Sequence, residues 1–523
     1  MIYRSPFPDV EIPEVALQDH VFELADRWPD KPALIDGPTD RTLTYGQLRG
    51  ATRAVAAGLA ARGFGKGDVF AIYSPNLPEY AVAFFGVATA GGVVTTINPL
   101  YTPAELKRQL ADSGARFLVT IPPFLDKARE GARGTAVEEV FVFGEAEGAT
   151  PFATLLSSDP PPAVAIDARE DLVALPYSSG TTGMPKGVML THRNLVANVV
   201  QTDTVERLTE KEVFIGILPF YHIYGMVVIM SGVLRVGATV ITMPRFDLEQ
   251  FLGLVQKHRV TKGYLVPPIV LALAKHPAVD DYDLSSLTDI LSGAAPLPEP
   301  VASACAARNN ISVRQGYGLT ETSPVTHFTP RDHEIKITSV GPAAPSTDFR
   351  VVDLTTGQDA PTGELGEVWV RGPQVMKGYL HNPEATRAMI DDEGWLRTGD
   401  IGRADADGYL YVVDRVKELI KYKGLQVAPA ELEAIVQAHP AVADAAVVPS
   451  PDEEAGEVPK AFVVVKPDAA VTADEIMAHV AGRVAPHKKV RRVEFIEAVP
   501  KVPSGKILRR ELIARERAAA AGS

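Results

Sequence analysis

The tightest constraint on the fold is an alternation of short, continuously apolar runs with helix-like segments. Val69–Tyr73 is closed by Ser74-Pro75-Asn76, and the helix-like Glu79–Ala90 leads from it into a second run, Val93–Ile97. The same texture returns at Phe117–Thr120, Val140–Phe143, Thr239–Ile241 and Val260–Val266. Such strands, separated by helices, belong to mostly parallel sheets covered on both faces. The N-terminal region is therefore expected to be α/β, with Asp40–Arg49 read as a short strand running into a helix.

After about Ser346 the pattern changes. Phe349–Asp353, Gly366–Arg371 and Tyr409–Asp414 are short strands between Gly, Pro and Asp turns, which predicts a smaller β-rich lobe. Beyond Asp414 come a helix over Pro429–Gln437, strands Val442–Val448 and Ala461–Lys466, and a helix over Thr472–Arg483. A strand Arg492–Phe495 and a terminal helix Ser504–Ala518 complete an α+β unit of about 100 residues. The boundary is placed on the charged segment at Asp414–Lys417, giving domains 1–413 and 418–523.

Composition excludes several classes. The formal net charge of -13, from 52 basic and 65 acidic residues, gives no general attraction to nucleic acid or an anionic membrane. A polyanionic ligand must therefore be held by local basic groups. Cys305 is the only cysteine, so neither an intrachain disulfide nor a cysteine-rich metal site can form. In its alanine-rich, helix-like segment it reads as a buried structural residue. The apolar stretches Tyr80–Ile97 and Tyr224–Ile241 approach membrane-spanning length, but internal glycines and Arg235 favour a buried helix leading into a core strand. Met1–Pro6 lacks the pattern of a secretory signal, and a cytoplasmic enzyme is expected.

Four regions carry chemistry. Tyr177–Gly187 (Tyr-Ser-Ser-Gly-Thr-Thr-Gly-Met-Pro-Lys-Gly) follows an apolar strand and precedes a helix starting near Thr191. Its small hydroxyl residues and glycines can wrap phosphate oxygens while Lys186 adds charge, although the spacing differs from the common GxxxxGK[ST] loop. A Gly/Ser linker would need no such lysine. Gln315-Gly316-Tyr317-Gly318-Leu319-Thr320-Glu321 offers close main-chain approach, a ring suited to stacking on adenine, and a carboxylate for Mg²⁺, though alone it could be a simple strand-to-helix turn. Trp395–Asp400 ends on an acid in a turn, suited to ribose hydroxyls, and Asp414-Arg415 adds a donor fork; a salt-bridged surface turn is the plainer alternative. Last, Lys417–Gln426 and Pro500–Lys506 are basic, with Lys506 expected just inside a helix start, where a cation opposes the helix dipole and implies an anionic partner.

Together these motifs, in this order and over nearly the whole chain, resemble the adenylate-forming superfamily of acyl- and aryl-CoA ligases, luciferases and peptide-synthetase adenylation domains. Pro219–Tyr224, Ser292–Leu297 and Lys421–Glu433 are most similar to 4-coumarate–CoA ligases. The resemblance implies a large N-terminal domain of stacked mixed sheets with a β-rich lobe, and a small mobile α+β lid hinged at 414–417. It implies ATP, CoA and Mg²⁺ as cofactors, a small carboxylic acid as substrate, and no nucleic acid, integral membrane association or obligate protein partner. Ser178, Ser179, Gly180, Thr181, Thr182 and Lys186 would hold phosphates. Ala294, Gln315, Gly316, Tyr317 and Thr320 would border the nucleotide, and Glu321 would bind Mg²⁺. Asp400, Arg415, Lys417 and Gln426 would serve the nucleotide as well. Lys506 would bridge acid and α-phosphate, with His222 beside the carboxylate, Thr182 in the phosphate loop, and Lys421 acting with the second orientation of the lid. Arg245, Lys423 and Gly424 would meet CoA.

The same resemblance makes Tyr224, Val228, Leu291, Ala294, Gly318, Pro324 and Val325 the acyl pocket. Plant coumarate ligases often carry polar residues where this chain has Val228 and Leu291, and glycine where it has Ala294. A more apolar, narrower pocket is expected, one in which cinnamate competes well with 4-coumarate. A medium- or long-chain fatty acyl-CoA ligase is the nearest rival reading, followed by an adenylation enzyme serving a carrier protein. A luciferase-like oxygenase and a regulatory nucleotide-binding protein without chemistry stand further off.

Overall fold

The computed structural model describes residues 1–178, 185–416, 418–422, 425–452, 455–467, 469–484, 486–501 and 505–521. Among them, two mixed sheets carry the N-terminal region. In a nine-stranded sheet, Val93–Thr96, Val69–Tyr73, Phe117–Thr120 and Glu139–Val142 run parallel. In an eight-stranded sheet, Pro32–Asp36, Thr239–Thr242, Val213–Gly216, Lys262–Leu265, Asp289–Ser292 and Ser312–Gly318 do the same.

Helix Pro78–Thr89 shows why the sheets stack. It touches Pro32–Asp36 of one and Val69–Tyr73 and Val93–Thr96 of the other, and every residue from Tyr80 to Ala88 is buried. A helix apolar all round belongs in an interior. Helix Tyr45–Ala61 packs over it so closely that a Cβ on Gly86 would lie 2.6 Å from Val55 Cγ1. A capping box starts that second helix: Thr44 accepts from the Gln47 N–H and the Gln47 side chain returns the bond. The other long apolar stretch becomes a π-helix, Tyr224–Ser231, a short helix Gly232–Arg235, and strand Thr239–Thr242. No helix among the described residues is long and apolar enough to cross a membrane.

Ile2–Arg4, Asp348–Val352, Gly366–Arg371, Leu396–Ala404 and Leu410–Arg415 form the β-rich lobe as one antiparallel sheet. Here the sequence expectation needs a correction. Asp400 lies within strand Leu396–Ala404 and not in a turn. Gly399 does take a left-handed φ of +69°, but pairing on both sides keeps the chain in the sheet.

The C-terminal region is α+β. Helices Pro429–Gln437 and Ala473–Ala481 accompany a sheet containing Val442–Asp452, Gly456–Val465 and Arg492–Phe495, with a core of its own around Val427, Leu432, Val447 and Ile476. The terminal helix begins at Arg509, so Lys506 precedes it, and the argument from the helix dipole does not apply. Ile507 forms an isolated antiparallel bridge with Lys501, and the Leu508 N–H donates to the Pro500 carbonyl at 2.8 Å. Gly505 takes φ +83° with Pro268 Cγ only 2.5 Å from where a Cβ would sit, a geometry unsuited to a helix.

Candidate active site

Two antiparallel strands flank the phosphate-type segment. Tyr177 pairs with Gly187 and Ser178 with Lys186, and strand Lys186–Thr191 then meets helix His192–Glu206, capped by Thr191. Ser179, Gly180, Thr181 and Thr182 lie outside the described residues, but the flanks are firmly held. The Tyr177 hydroxyl donates to Asp112 at 2.6 Å, and the Ser178 hydroxyl donates to Glu321 Oε1 at 2.8 Å. Glu321 is buried and receives a second bond on the same oxygen from the Tyr379 hydroxyl, also at 2.8 Å. The Lys186 ammonium stands 4.9 Å from the centre of the Tyr379 ring. Ser178 and Tyr379, just over two hundred residues apart, thus meet at one carboxylate.

A second cluster brings Tyr317, Asp400, Arg415, Lys506 and His222 together. Asp400 and Arg415 face each other across neighbouring strands, with Nε 3.0 Å from Oδ1, and the Tyr317 hydroxyl donates to Asp400 Oδ2 at 2.6 Å. Burial pushes the Asp400 carboxyl up, opposed by Arg415, Tyr317 and Lys506. Burial and the neighbouring Arg415 charge lower the Lys506 amine, against the pull of Glu418 and Asp400. The His222 ring is reached by solvent yet closely surrounded by protein atoms. That desolvation, with the charge of Lys506, pushes its imidazole down to about 4 and keeps it neutral at physiological pH. The Arg415 charge also senses Glu321, which links the two clusters.

The acyl-pocket candidates are neighbours too. Gly318 pairs with Val325, and a Cβ at 318 would lie 2.0 Å from the Pro324 carbonyl oxygen. A Cβ on Gly316 would sit 3.6 Å from Leu291 Cδ1, and the Tyr224 hydroxyl donates to the Leu291 carbonyl at 3.1 Å. Val228 lies on the same π-helix as Tyr224, and both are buried. Ala294 adopts φ +69°, unusual for a residue with a Cβ. Thr320 opens a 3₁₀ turn that ends beside Glu321. The Gln315 amide is engaged with the backbone of Leu297 and Ile337, and its carbonyl accepts the Thr329 N–H at 3.4 Å.

Arg245 and Lys421 are exposed and have no hydrogen bond or ion pair to these clusters among the described residues. Lys417, Lys423, Gly424 and the Gln426 side chain lie outside the described residues. Tyr379 and Asp112 escaped the sequence reading: sheet register brings Tyr379 to the loop, and Asp112, at the end of helix Pro103–Ser113, meets it through the Tyr177 hydroxyl.

Residues 21–380 match the AMP-binding enzyme family and residues 431–506 the AMP-binding enzyme C-terminal domain. The chain is 45% identical to 4-coumarate–CoA ligase 1 of Solanum tuberosum, covering 98% of this chain and 96% of that protein. It is 46% identical to 4-coumarate–CoA ligase 5 of Oryza sativa subsp. japonica, covering 98% and 97%. Among solved structures, an anthranilate–CoA ligase in complex with anthranoyl-AMP superposes with a TM-score of 0.89 at 28% identity, covering 98% of this chain and 99% of that one. ATP-bound MatB from Rhodopseudomonas palustris does so with 0.87 at 30% identity, covering 96% and 99%. The chain belongs to the AMP-binding enzymes, within the 4-coumarate–CoA ligase family, and is an ATP-dependent acid–CoA ligase that works through an acyl-adenylate.

Proposed function

We propose that the enzyme activates cinnamate- and 4-coumarate-type phenylpropenoic acids. The observation that carries the active-centre assignment is the buried Asp400–Arg415 ion pair, whose carboxylate also feels the Lys506 charge, beside the neutral His222. In the first half-reaction a carboxylate oxygen attacks the α-phosphorus of ATP, and the bond to pyrophosphate breaks. Lys506 would face the acid carboxylate and α-phosphate, where negative charge redistributes in the transition state. Neutral His222 would border the carboxylate without competing as a second cation. Asp400 and Arg415 would hold the nucleotide's ribose, while Tyr317, Gly316 and Ala294 border adenine and the acyl group. Ser178, the loop 179–182 and Lys186 would cradle the phosphates. In the second half-reaction the CoA thiol gives up its proton, sulfur bonds to the acyl carbon, and AMP leaves.

A Mg²⁺ ion fits the donors around Glu321. They are hard oxygens, a buried carboxylate with two hydroxyls, and no group of three or more His, Cys, Asp or Glu side chains converges among the described residues. Mg²⁺ suits such a site because it typically takes one or two carboxylates and completes its shell with phosphate and water. When bound, it would neutralise charge on the phosphates. We place the domain limits at 1–413 and 418–523, with the hinge at 414–417. A second orientation of the C-terminal domain would bring Lys421, Lys423 and Gly424 toward CoA, with Arg245 at the rim and Lys417 and Gln426 near the nucleotide.

Two features support the acid class. Val228 and Leu291 offer a ring no polar side chain, and the Tyr224 hydroxyl donates to the Leu291 carbonyl. An unpartnered phenol hydroxyl there costs about 1–3 kcal/mol. A kcat/KM panel of cinnamate, 4-coumarate, caffeate, ferulate, benzoate and octanoate tests the reading. Cinnamate at least equal to 4-coumarate and well above ferulate is expected. Preference for octanoate would move the enzyme to the fatty acyl branch, and preference for ferulate would refute the pocket argument.

A further inference from the structure

Tyr379 lies 58 residues beyond Glu321 and 193 beyond Lys186 in sequence, yet touches both. Its hydroxyl donates to Glu321 Oε1 at 2.8 Å, the oxygen that also accepts from Ser178, and its ring lies 4.9 Å below the Lys186 ammonium. We propose that Tyr379 is a positioning residue that sets the distance between Glu321 and Lys186, one acting through its hydroxyl and the other through its ring face. The proposal rests on the reading of those two residues as metal and phosphate ligands.

The backbone is built to hold this ring. Val188 pairs with Tyr379 and Met189 with Gly378 across antiparallel strands, so Tyr379 is registered to the strand that begins at Lys186. The Leu380 N–H donates to the Gly187 carbonyl at 2.8 Å, and the Tyr379 N–H donates to Thr386 Oγ1 at 2.9 Å. Tyr379 is only 5% exposed, so its ring has little freedom to turn away. The same carboxylate oxygen cannot drift without breaking bonds to both Ser178 and Tyr379. A cation above a ring face is attracted by the ring's quadrupole, and this restrains a long side chain without neutralising it. Partners that orient a metal-binding carboxylate in this way typically change metal affinity 10–100-fold when removed.

The two contacts can be separated. Tyr379→Phe keeps the ring and removes the hydroxyl, whereas Tyr379→Leu removes both. Mn²⁺ binding to the full-length enzyme with α,β-methylene-ATP, followed by electron paramagnetic resonance, gives a readout independent of turnover, and melting temperature reports folding. Tyr379→Phe is expected to weaken Mn²⁺ about ten-fold while leaving the Kd for metal-free ATP unchanged. Tyr379→Leu is expected to weaken both. Glu321→Gln, measured alongside, separates the two layers of the argument. If Glu321→Gln shifts Mn²⁺ affinity and Tyr379→Phe does not, the proposal is wrong and the metal assignment stands. If neither shifts it, the metal assignment fails and the proposal falls with it. Equal loss of metal-free ATP binding in the Phe and Leu variants would also overturn the division between hydroxyl and ring.

Discussion

Ala294 stands in the left-handed region, at φ +69°, at the position where the plant ligases often have glycine. That conformation costs a residue with a Cβ roughly 1–2 kcal/mol. Ala294→Gly is therefore expected to raise unfolding stability by about 1 kcal/mol in denaturant melts. It should also raise the kcat/KM ratio of 4-coumarate to cinnamate, because a methyl leaves the pocket wall. An unchanged ratio would show that Ala294 does not face the ring. Asp400 and Lys506 were both legible as functional candidates from residue type and motif, but their local settings were not. A glycine before an acid reads as a turn, yet sheet pairing on both flanks overrides it. Likewise, a Ser-Gly-Lys sequence reads as a helix start, while the helix waits until Arg509.

At the scale of elements, one helix cap crosses the proposed hinge. Helix Pro429–Gln437 has Ala428 at its N-cap, with no side-chain bond of its own. Asp414, in strand Leu410–Arg415 and at the start of the proposed hinge, takes that role and accepts the Ala430 N–H at 2.8 Å. A cap is worth about 1 kcal/mol, and the proposed second orientation of the C-terminal domain would break this one. Asp414→Ala is therefore expected to slow adenylation about five-fold and to leave thioester formation from supplied cinnamoyl-AMP unchanged. Equal slowing of both half-reactions would argue against an orientation-specific role. The alternation of apolar runs and helices made most central strands legible, because parallel strands buried on both faces leave a compositional trace. Ile2–Arg4 left none: it is three residues long, and its place on the lobe edge depends on pairing with Asp348–Val352.

Across the whole molecule, buried histidines set part of the response to acid. Burial holds the His327 imidazole down to about 3, where it packs edge-on to Phe349 at 4.6 Å. In the unfolded chain the same group titrates near about 6.5. Between these values the unfolded state binds a proton that the native state refuses, so stability is full above about pH 6.5 and falls as pH drops, by about 1.4 kcal/mol per unit. Glu433 works the other way: burial raises it to about 7, and its proton uptake favours the native state as pH falls toward about 4.5. Replacing His327 with glutamine isolates one contribution. The variant should lose about 2 kcal/mol less stability than the parent between pH 6.5 and 5. Parallel stability curves would place the proton elsewhere.

The division of labour between the two half-reactions is the claim on which the rest depends, and Lys506→Ala tests it. Single-turnover rates would be measured with cinnamate and Mg-ATP, following acid-dependent pyrophosphate release, and separately with cinnamoyl-AMP and CoA, following the thioester by mass spectrometry. Loss of the first step by about 10²–10³-fold, with the second step intact, is the predicted result. Equal loss of both steps, or release of ADP and phosphate in place of AMP and pyrophosphate, would contradict it.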